Sequence, residues 1–468
     1  MKVPTILQTI SKELASQHAR AVLVGGAVRD HFLASAVKDY DIEVFGLHTL
    51  EQLHTLLSGY GHTNLMGRHF GIVKLVHQGR EYDFSFPRRE SKNGAGHRGF
   101  VVATDGSMSF EEAAARRDFS CNAMGYDIET GEWLDPFGGR EDMAAGILRH
   151  IHSHTFVEDP LRVYRAVQFA ARFGWRIAEE TMQLCREMVA EGMLEELPRE
   201  RIYQEWQKLL LNAPRPSVGF MLMRELGITA RYFPELHALI GTPQSPRWHP
   251  EGDVWTHTMM TLDKMAEICR SGRIHPDNPE QQLKLLFAAL CHDLGKPAAT
   301  TVEVDGRIRS IGHEHAGVAP CRSLLYRLTE AHDFITSLLP LVEHHLKPSQ
   351  FYVQGAKSAA IRRLSTAVTI EELVLLAEAD FLGRSTAEAK RGIYEAGAWL
   401  LEQAKALQVE GAPPQPLVRG RDLIRSGLQP SPAFGKILEK LYHMQLEGSI
   451  KDRESGITAL HKIIKDDK

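Results

Sequence analysis

The stretch AVLVGGAVRDHFLASAVKDYDIEV, Ala21 to Val44, decides the fold. It reads as a short apolar strand (Ala21–Val24), a break at Gly25-Gly26, a helix opening on Ala27-Val28-Arg29-Asp30, and a second strand carrying Asp39-Tyr40-Asp41. Side chains alternate faces along a strand, so Asp39 and Asp41 share one face while Tyr40 and Ile42 share the other. Two carboxylates side by side repel each other unless a cation sits between them. Mg²⁺ is bound by one or two carboxylates together with substrate phosphates, so the pair suits a metal–nucleotide complex. Gly25 and Gly26 let backbone approach a phosphate closely, and the helix start behind them offers free N–H groups. Alone, a Gly-Gly is ordinarily a turn and an Asp-x-Asp a solvated strand edge. Their order along the chain is what points to chemistry.

GGAVRD followed by KDYD resembles the head of the class II tRNA nucleotidyltransferase and poly(A) polymerase family, a branch of the polymerase-beta-like nucleotidyltransferases. The resemblance implies an α+β chain with a small mixed sheet and helices in the head, followed by an all-α neck, body, HD domain and tail. The expected divisions are a head over 1–147, a neck over 148–211, a body over 212–245, an HD domain over 246–390 and a tail over 391–468.

The whole chain fits that reading. Its 468 residues are too many for one ordinary core and suggest about three domains or more. Hydrophobic content of 43% and charged content of 24% are those of a globular protein in water. A net charge of −4 argues against a uniformly basic surface, so nucleic-acid contact must come from local patches. Five scattered cysteines without a CxxC pair fit a reducing cytoplasm. The N-terminus shows no signal-peptide pattern, and no apolar run is long enough to span a membrane.

Ile6–Gln17 reads as an amphipathic helix and Leu50–Leu57 as another. Gly71–His77 and Arg80–Phe86 read as strands joined by a turn at Gln78-Gly79. The second of these carries Asp83, a third carboxylate that completes the site with Asp39 and Asp41 or activates the attacking hydroxyl. RRESKNGAGHRGF, Arg88 to Phe100, is basic and glycine-rich and is expected to be a mobile loop; the family resemblance implies that it closes over the nucleotide and the RNA 3′ end. Glu111–Arg117 has good helix propensity, with Asp118 and Asn122 one helical turn apart. RRD with Asn-Ala after three further residues resembles the family motif for ribose and triphosphate. The Arg117 guanidinium suits a phosphate, and the Asp118 carboxylate can accept from a sugar hydroxyl.

Glu158-Asp159-Pro160 is a standard helix start. Asp159 and Arg162 lie three apart and would face the same way, offering an acceptor and a fork of donors to a base edge. The exocyclic amine of cytosine or adenine would donate to Asp159, and Arg162 would donate to a ring nitrogen or carbonyl. Uracil and guanine would set a carbonyl against the carboxylate. This resembles the EDxxR motif, in which side chains act as template. Arg165 either tunes the C-to-A switch or binds phosphate. Arg199 and Arg201 are equally readable as RNA contacts or as a solvated face.

His257, the pair His292-Asp293 and Asp380 resemble the H…HD…D ligand set of an HD-type phosphohydrolase. Mixed imidazole and carboxylate ligands suit a divalent metal that keeps a position open for water. A buried Asp380 needs a cation or partner. His313 and His345 are further ligand candidates, with His315 and His344 as rivals.

By resemblance, the chain adds C, C and A to the 3′ end of tRNA from CTP and ATP. Mg²⁺ is expected on Asp39 and Asp41, and Asp83 completes the catalytic trio. Gly25, Gly26, Arg29, Arg117, Asp118, Asn122, Asp159, Arg162 and Arg165 are the nucleotide-binding candidates. CC-only addition, A-only addition and poly(A) synthesis are the rivals within the family. A chiefly hydrolytic HD protein with a nucleotide-binding head is the rival from another class. The HD site, carrying Ni²⁺, Mg²⁺ or Mn²⁺, is expected to act on 2′,3′-cyclic or 2′-phosphates. The sequence leaves oligomeric state open.

Overall fold

The computed structural model describes residues 1–37, 39–47, 49–66, 71–92 and 100–466. The chain forms two compact units, Met1–Ala213 with Val218–Ile228, and Pro214–Ser217 with Thr229–Lys468.

The first unit is built on a mixed sheet. Its strands are β1 (Arg20–Val24), β2 (Asp41–Phe45), β3 (His62–Met66), β4 (Ile72–His77) and β5 (Arg80–Ser85), with β6 (Arg88–Lys92) and β7 (Phe100–Thr104) forming a separate hairpin. β8 (Gly125–Asp127) and β9 (Trp133–Leu134) complete the main sheet, in the order β3-β4-β5-β2-β1-β8-β9. β2 and β5 run parallel, and the other neighbours are antiparallel. Gln78 (φ 50°) and Gly79 (φ 76°) both take left-handed backbone between β4 and β5, the two-residue hairpin turn that matches strand twist. Leu23, Ile42, Val44 and Phe84 are fully buried in this sheet. Helix Thr5–Ser16 contributes Leu7, Ile10 and Leu14 to the core. Helix Leu50–Ser58 contributes Leu53, Leu56 and Leu57, and Thr49 caps it by accepting from the Gln52 N–H.

Three expectations change. The second strand begins at Asp41, so Asp39 and Tyr40 lie on its extended approach. The pairing nevertheless starts early, since Asp83 N–H donates to the Tyr40 carbonyl at 3.0 Å. The helix expected over Glu111–Arg117 spans only Phe110–Ala114, opened by a Ser109/Glu112 capping box. Asp118 accepts from the Phe119 N–H at 2.9 Å, a local bond that competes with helix continuation. Asp118 and Asn122 therefore meet across a 3-10 turn, Ser120–Asn122, rather than along a helix. Both ends of the expected loop Arg88–Phe100 are paired strands, with Arg88 opposite Thr104 and Lys92 opposite Phe100. Residues 93–99 of that stretch lie outside the described residues.

After the sheet the unit is helical. Helices Leu161–Phe173 and Arg199–Asn212 pack together. In the second unit, helices Val254–Arg270, Pro279–Cys291, His332–His344 and Ile370–Leu382 pack around an apolar centre that includes Leu285, Phe287 and Leu376. No described helix is long and apolar enough to cross a membrane.

Candidate functional site

β1 delivers the chain to Gly25, whose φ of 66° is left-handed and favours glycine. A Cβ there would sit 3.1 Å from an Arg117 guanidinium nitrogen and 3.9 Å from Asp41 Oδ2, so the glycine is the floor of a charged cleft. Across the parallel β2–β5 pair, Asp41 stands directly opposite Asp83. Asp39 and Asp41 are exposed. Enough protein crowds Asp41 that burial raises its carboxyl above the usual range. Arg117 opposes that rise, and the charges of Asp83, Asp39 and Glu43 add to it. Asp83 Oδ1 is buried without a hydrogen-bond partner, with the nearest Lys74 amine 3.8 Å away. Mutually repelling carboxylates and an orphaned oxygen are a donor set that fits a divalent cation.

The opposite wall carries arginines. Arg117 donates to Glu43 at 2.7 Å and to the Asn122 carbonyl at 3.4 Å. Arg29 is buried, donates to Asn122 Oδ1 at 2.7 Å and to Asp30, and lies over the rings of Phe169 and Phe173. Asp118 is buried, accepts from Asn122 Nδ2 at 2.9 Å and from Arg165 Nε at 2.7 Å. Burial would raise the Asp118 carboxyl, but Arg165, Asn122 and Arg162 outweigh it and hold it low. Arg162 donates to the carbonyls of Thr155 and Arg116, both at 2.7 Å, which fixes its guanidinium plane. Asp159 accepts from Arg201 at 3.1 Å and from the Leu161 N–H at 3.2 Å.

These side chains converge on one cavity of about 410 Å³. All nine residues singled out for nucleotide binding line it, as does Asp41, with Leu161 and Arg201 added. Asp39 and Asp83 are not on its lining.

The second unit holds a different cluster. His257 Nε2 lies 3.0 Å from Asp380 Oδ1, and His292 Nε2 lies 3.2 Å from Asp293 Oδ2. Asp293 Oδ1 lies 3.2 Å from His313 Nε2, which is 3.3 Å from His345 Nε2. One ligand atom from each of His257, His292 and Asp293 falls within a single metal-sized group, and likewise for Asp293, His313 and His345. His292 Nε2 is buried with no hydrogen-bond partner. Burial alone would raise Asp293, yet His292 and Lys296 hold it well below the carboxylate range. Burial, with the neighbouring His292 and His313, pushes His345 down to about 3. A neutral imidazole and an ionised carboxylate are the states a metal needs. The ligand set fits a divalent cation. Of the rivals, His315 is exposed beside Glu343, and His344 is only half-buried.

Five residues escaped the sequence reading or were left open by it. Arg201 was one of two arginines readable as solvated; its role appears only once the helices bring it to Asp159. Glu251 accepts from His257 Nδ1 and pairs with His249, both at 2.9 Å. Lys296 sits 2.7 Å from Asp293, three residues on, and Arg384 donates twice to Asp380, four residues back. Those two helical spacings were the available signal.

Known protein families match the chain in series. The poly A polymerase head domain matches residues 21–149, the probable RNA and SrmB-binding site of polymerase A matches 174–240, and the HD domain matches 254–384. In fold, the chain is similar to the Bacillus stearothermophilus CCA-adding enzyme solved with CTP, at 21% identity and a TM-score of 0.66, covering 100% of this chain and 99% of that one. It is also similar to the Thermotoga maritima CCA-adding enzyme solved with a tRNA, at 19% identity and a TM-score of 0.59, covering 99% and 96%. Among curated relatives, a multifunctional CCA protein of Laribacter hongkongensis is 42% identical over 309 residues, 66% of this chain and 70% of that protein. One from Actinobacillus pleuropneumoniae is 40% identical over 326 residues, 69% of this chain and 74% of that protein. With the head, RNA-binding and HD matches in series and these relatives covered over more than two thirds of their length, the chain belongs to the family of multifunctional CCA proteins.

Proposed function

We propose that this chain adds C, C and A in turn to the 3′ end of tRNA, using CTP and ATP. The observation that carries the reading is the convergence of Asp41, the arginine wall and the Asp159/Arg162 pair on one cavity. The terminal ribose 3′-oxygen bonds to the α-phosphorus, the bond to the β-phosphate oxygen breaks, and pyrophosphate leaves. Asp83, with its unpartnered Oδ1, accepts the hydroxyl proton. Arg117 faces the triphosphate, while Asp118 orders Asn122 and Arg165 around the sugar. Asp159 accepts from the exocyclic amine, and Arg162, held by two carbonyls, donates to the ring edge. Asp39 and Asp41 would hold Mg²⁺, which when bound neutralises phosphate charge along an in-line displacement. The working division of labour is a head over 1–147, a template-bearing neck over 148–211, a body over 212–245, an HD domain over 246–390 and a tail over 391–468, acting in the cytoplasm.

The test is primer extension on three tRNA transcripts, ending before CCA, after C and after CC, with CTP, ATP or both. C, C and A added in order and then a stop is the expected result. A stop after CC makes it a CC-adding enzyme, and activity only on the CC-ended transcript an A-adding one. Long A tails on unrelated RNA would replace the assignment with poly(A) synthesis.

The buried His/Asp cluster supports a second activity, hydrolysis of 2′,3′-cyclic or 2′-phosphate esters. His257, His292, Asp293 and Asp380 would hold a divalent metal (Ni²⁺, Mg²⁺ or Mn²⁺), with His313 and His345 beside Asp293. In the net reaction water adds across the ester: its OH joins phosphorus and its proton goes to the ribose oxygen. Formation of adenosine 2′-monophosphate from adenosine 2′,3′-cyclic phosphate, lost in His292→Ala, is the check.

A further inference from the structure

Beside the His/Asp cluster lies a second cavity with a different character. The cluster opens into a polar cavity of about 220 Å³ lined by Asp293, Asp380, Lys296 and Arg384 among others. The neighbouring cavity, about 380 Å³, has an apolar wall that includes Tyr352, Val353, Phe381 and Ile393, together with the charged side chains of Arg384, Glu388, Arg391 and Glu395. The two share Trp248 and Arg384 as a common wall.

Three chain segments pass from one cavity into the other. His249 lines the polar cavity and Trp248, its neighbour, lines both. Leu346 lines the polar cavity, and Ser349, Tyr352 and Val353 on the helix Lys347–Gln354 line the apolar one. Asp380 faces the cluster, and Phe381 follows it into the apolar cavity. The apolar wall is solvent-facing to a degree that folding does not require. Trp248 is 54% exposed, Ile393 65% and Val353 84%. Exposed apolar surface that adjoins a polar site is characteristic of a ligand-binding cavity, and here it suits a ligand with an apolar part joined to a charged part.

We propose that the apolar cavity is a nucleobase subsite, which holds the base of a nucleotide whose phosphate ester lies in the polar cavity. The proposal rests on the phosphohydrolase reading of the cluster and adds to it the place where the base of the nucleotide is held. The Arg247 guanidinium covers one face of the Trp248 ring at 4.8 Å, which leaves the other face for stacking, and stacking a base on an aromatic side chain is tolerant of base identity. Glu388 and Glu395 at the rim are acceptors for exocyclic amines. Arg384, bonded to Asp380 at 2.9 Å, stands where base and phosphate portions meet.

The experiment compares two substrates on the full chain: adenosine 2′,3′-cyclic phosphate and the base-free glycerol 1,2-cyclic phosphate. The expected kcat/KM ratio favours the nucleoside by about tenfold or more, mostly through KM. Trp248→Ala and Ile393→Asp collapse that ratio toward one, while Trp248→Phe keeps most of it. An unchanged ratio in Trp248→Ala and Ile393→Asp, or a wild-type ratio near one, overturns the subsite. If wild type hydrolyses neither substrate, the phosphohydrolase reading fails by itself. The subsite is then decided by calorimetric titration with adenosine 2′-monophosphate, where the head contributes equally to every variant. Loss of one binding site in Trp248→Ala and Ile393→Asp supports it, and identical isotherms overturn it.

Discussion

Asp41 on β2 and Asp83 on β5 stand directly opposite each other across the one parallel pairing of the head sheet. Residues paired this way point to the same side, so two chain segments separated by the β3–β4 excursion contribute to one carboxylate cluster. The arrangement makes the two residues jointly necessary. Asp41→Ala, Asp39→Ala or Asp83→Asn should each abolish nucleotide addition, a loss of about a thousandfold or more, as expected for a reaction that rests on charge placement. The fold, read by circular dichroism, and hydrolysis by the His/Asp cluster should persist, because that cluster belongs to the other compact unit. Near-normal addition in any of the three would remove the site assignment.

The Asp159–Arg201 pair gives a prediction about fidelity. Arg201 holds both carboxylate oxygens of Asp159, at 3.4 and 3.1 Å. A carboxylate aimed by a two-pronged guanidinium keeps its orientation better than one aimed by an amine. Arg201→Lys should therefore lower the CTP-over-UTP preference, and Arg201→Ala should lower it further, by about tenfold. Asp159→Ala should blur selection most. Single-nucleotide incorporation with CTP, ATP and UTP separates these cases. A drop in kcat equal for all three nucleotides would mean that Arg201 supports the fold and not selection.

Part of this site was legible in the residues alone. Gly25-Gly26, Asp41 and Asp83 could be placed because strand alternation and one turn fix their faces locally. Asp118 and Asn122 were paired correctly for the wrong local reason: their contact runs across a 3-10 turn, since Asp118 binds the next backbone N–H. Arg201 could not be separated from a solvated arginine, because its partner lies 42 residues away in the chain. The choice of His313 and His345 over His315 and His344 was likewise hidden. Neighbouring histidines on a helix differ only in which one the packing turns inward.

Arg165 and Asp118 provide a stability test. Asp118 is buried and its Oδ2 takes both Arg165 contacts, at 2.7 and 2.6 Å. Removing the arginine strands a carboxylate that the protein has already desolvated. Arg165→Ala should destabilise the first unit by about 3 kcal/mol, whereas Arg165→Lys should recover part of that. Urea unfolding of the two variants beside wild type reads this directly. An unshifted midpoint would mean that Asn122 and backbone donors suffice to hold Asp118.

His345 gives the pH prediction. Burial and the adjacent His292 and His313 lower it from 6.5 to about 3. Below pH 6.5 the unfolded chain therefore takes up a proton at this position that the folded chain refuses. The sign follows: His345 costs no stability above about pH 7, and its penalty grows as pH falls toward 3, at up to about 1.4 kcal/mol per unit. His292 and His313 are shifted up and act oppositely, so the contribution is read as a difference between wild type and His345→Asn. In EDTA-treated protein, the stability of wild type relative to the variant should fall between pH 7.5 and 5. Parallel pH profiles for the two proteins would show that His345 titrates normally and is not held neutral by its surroundings.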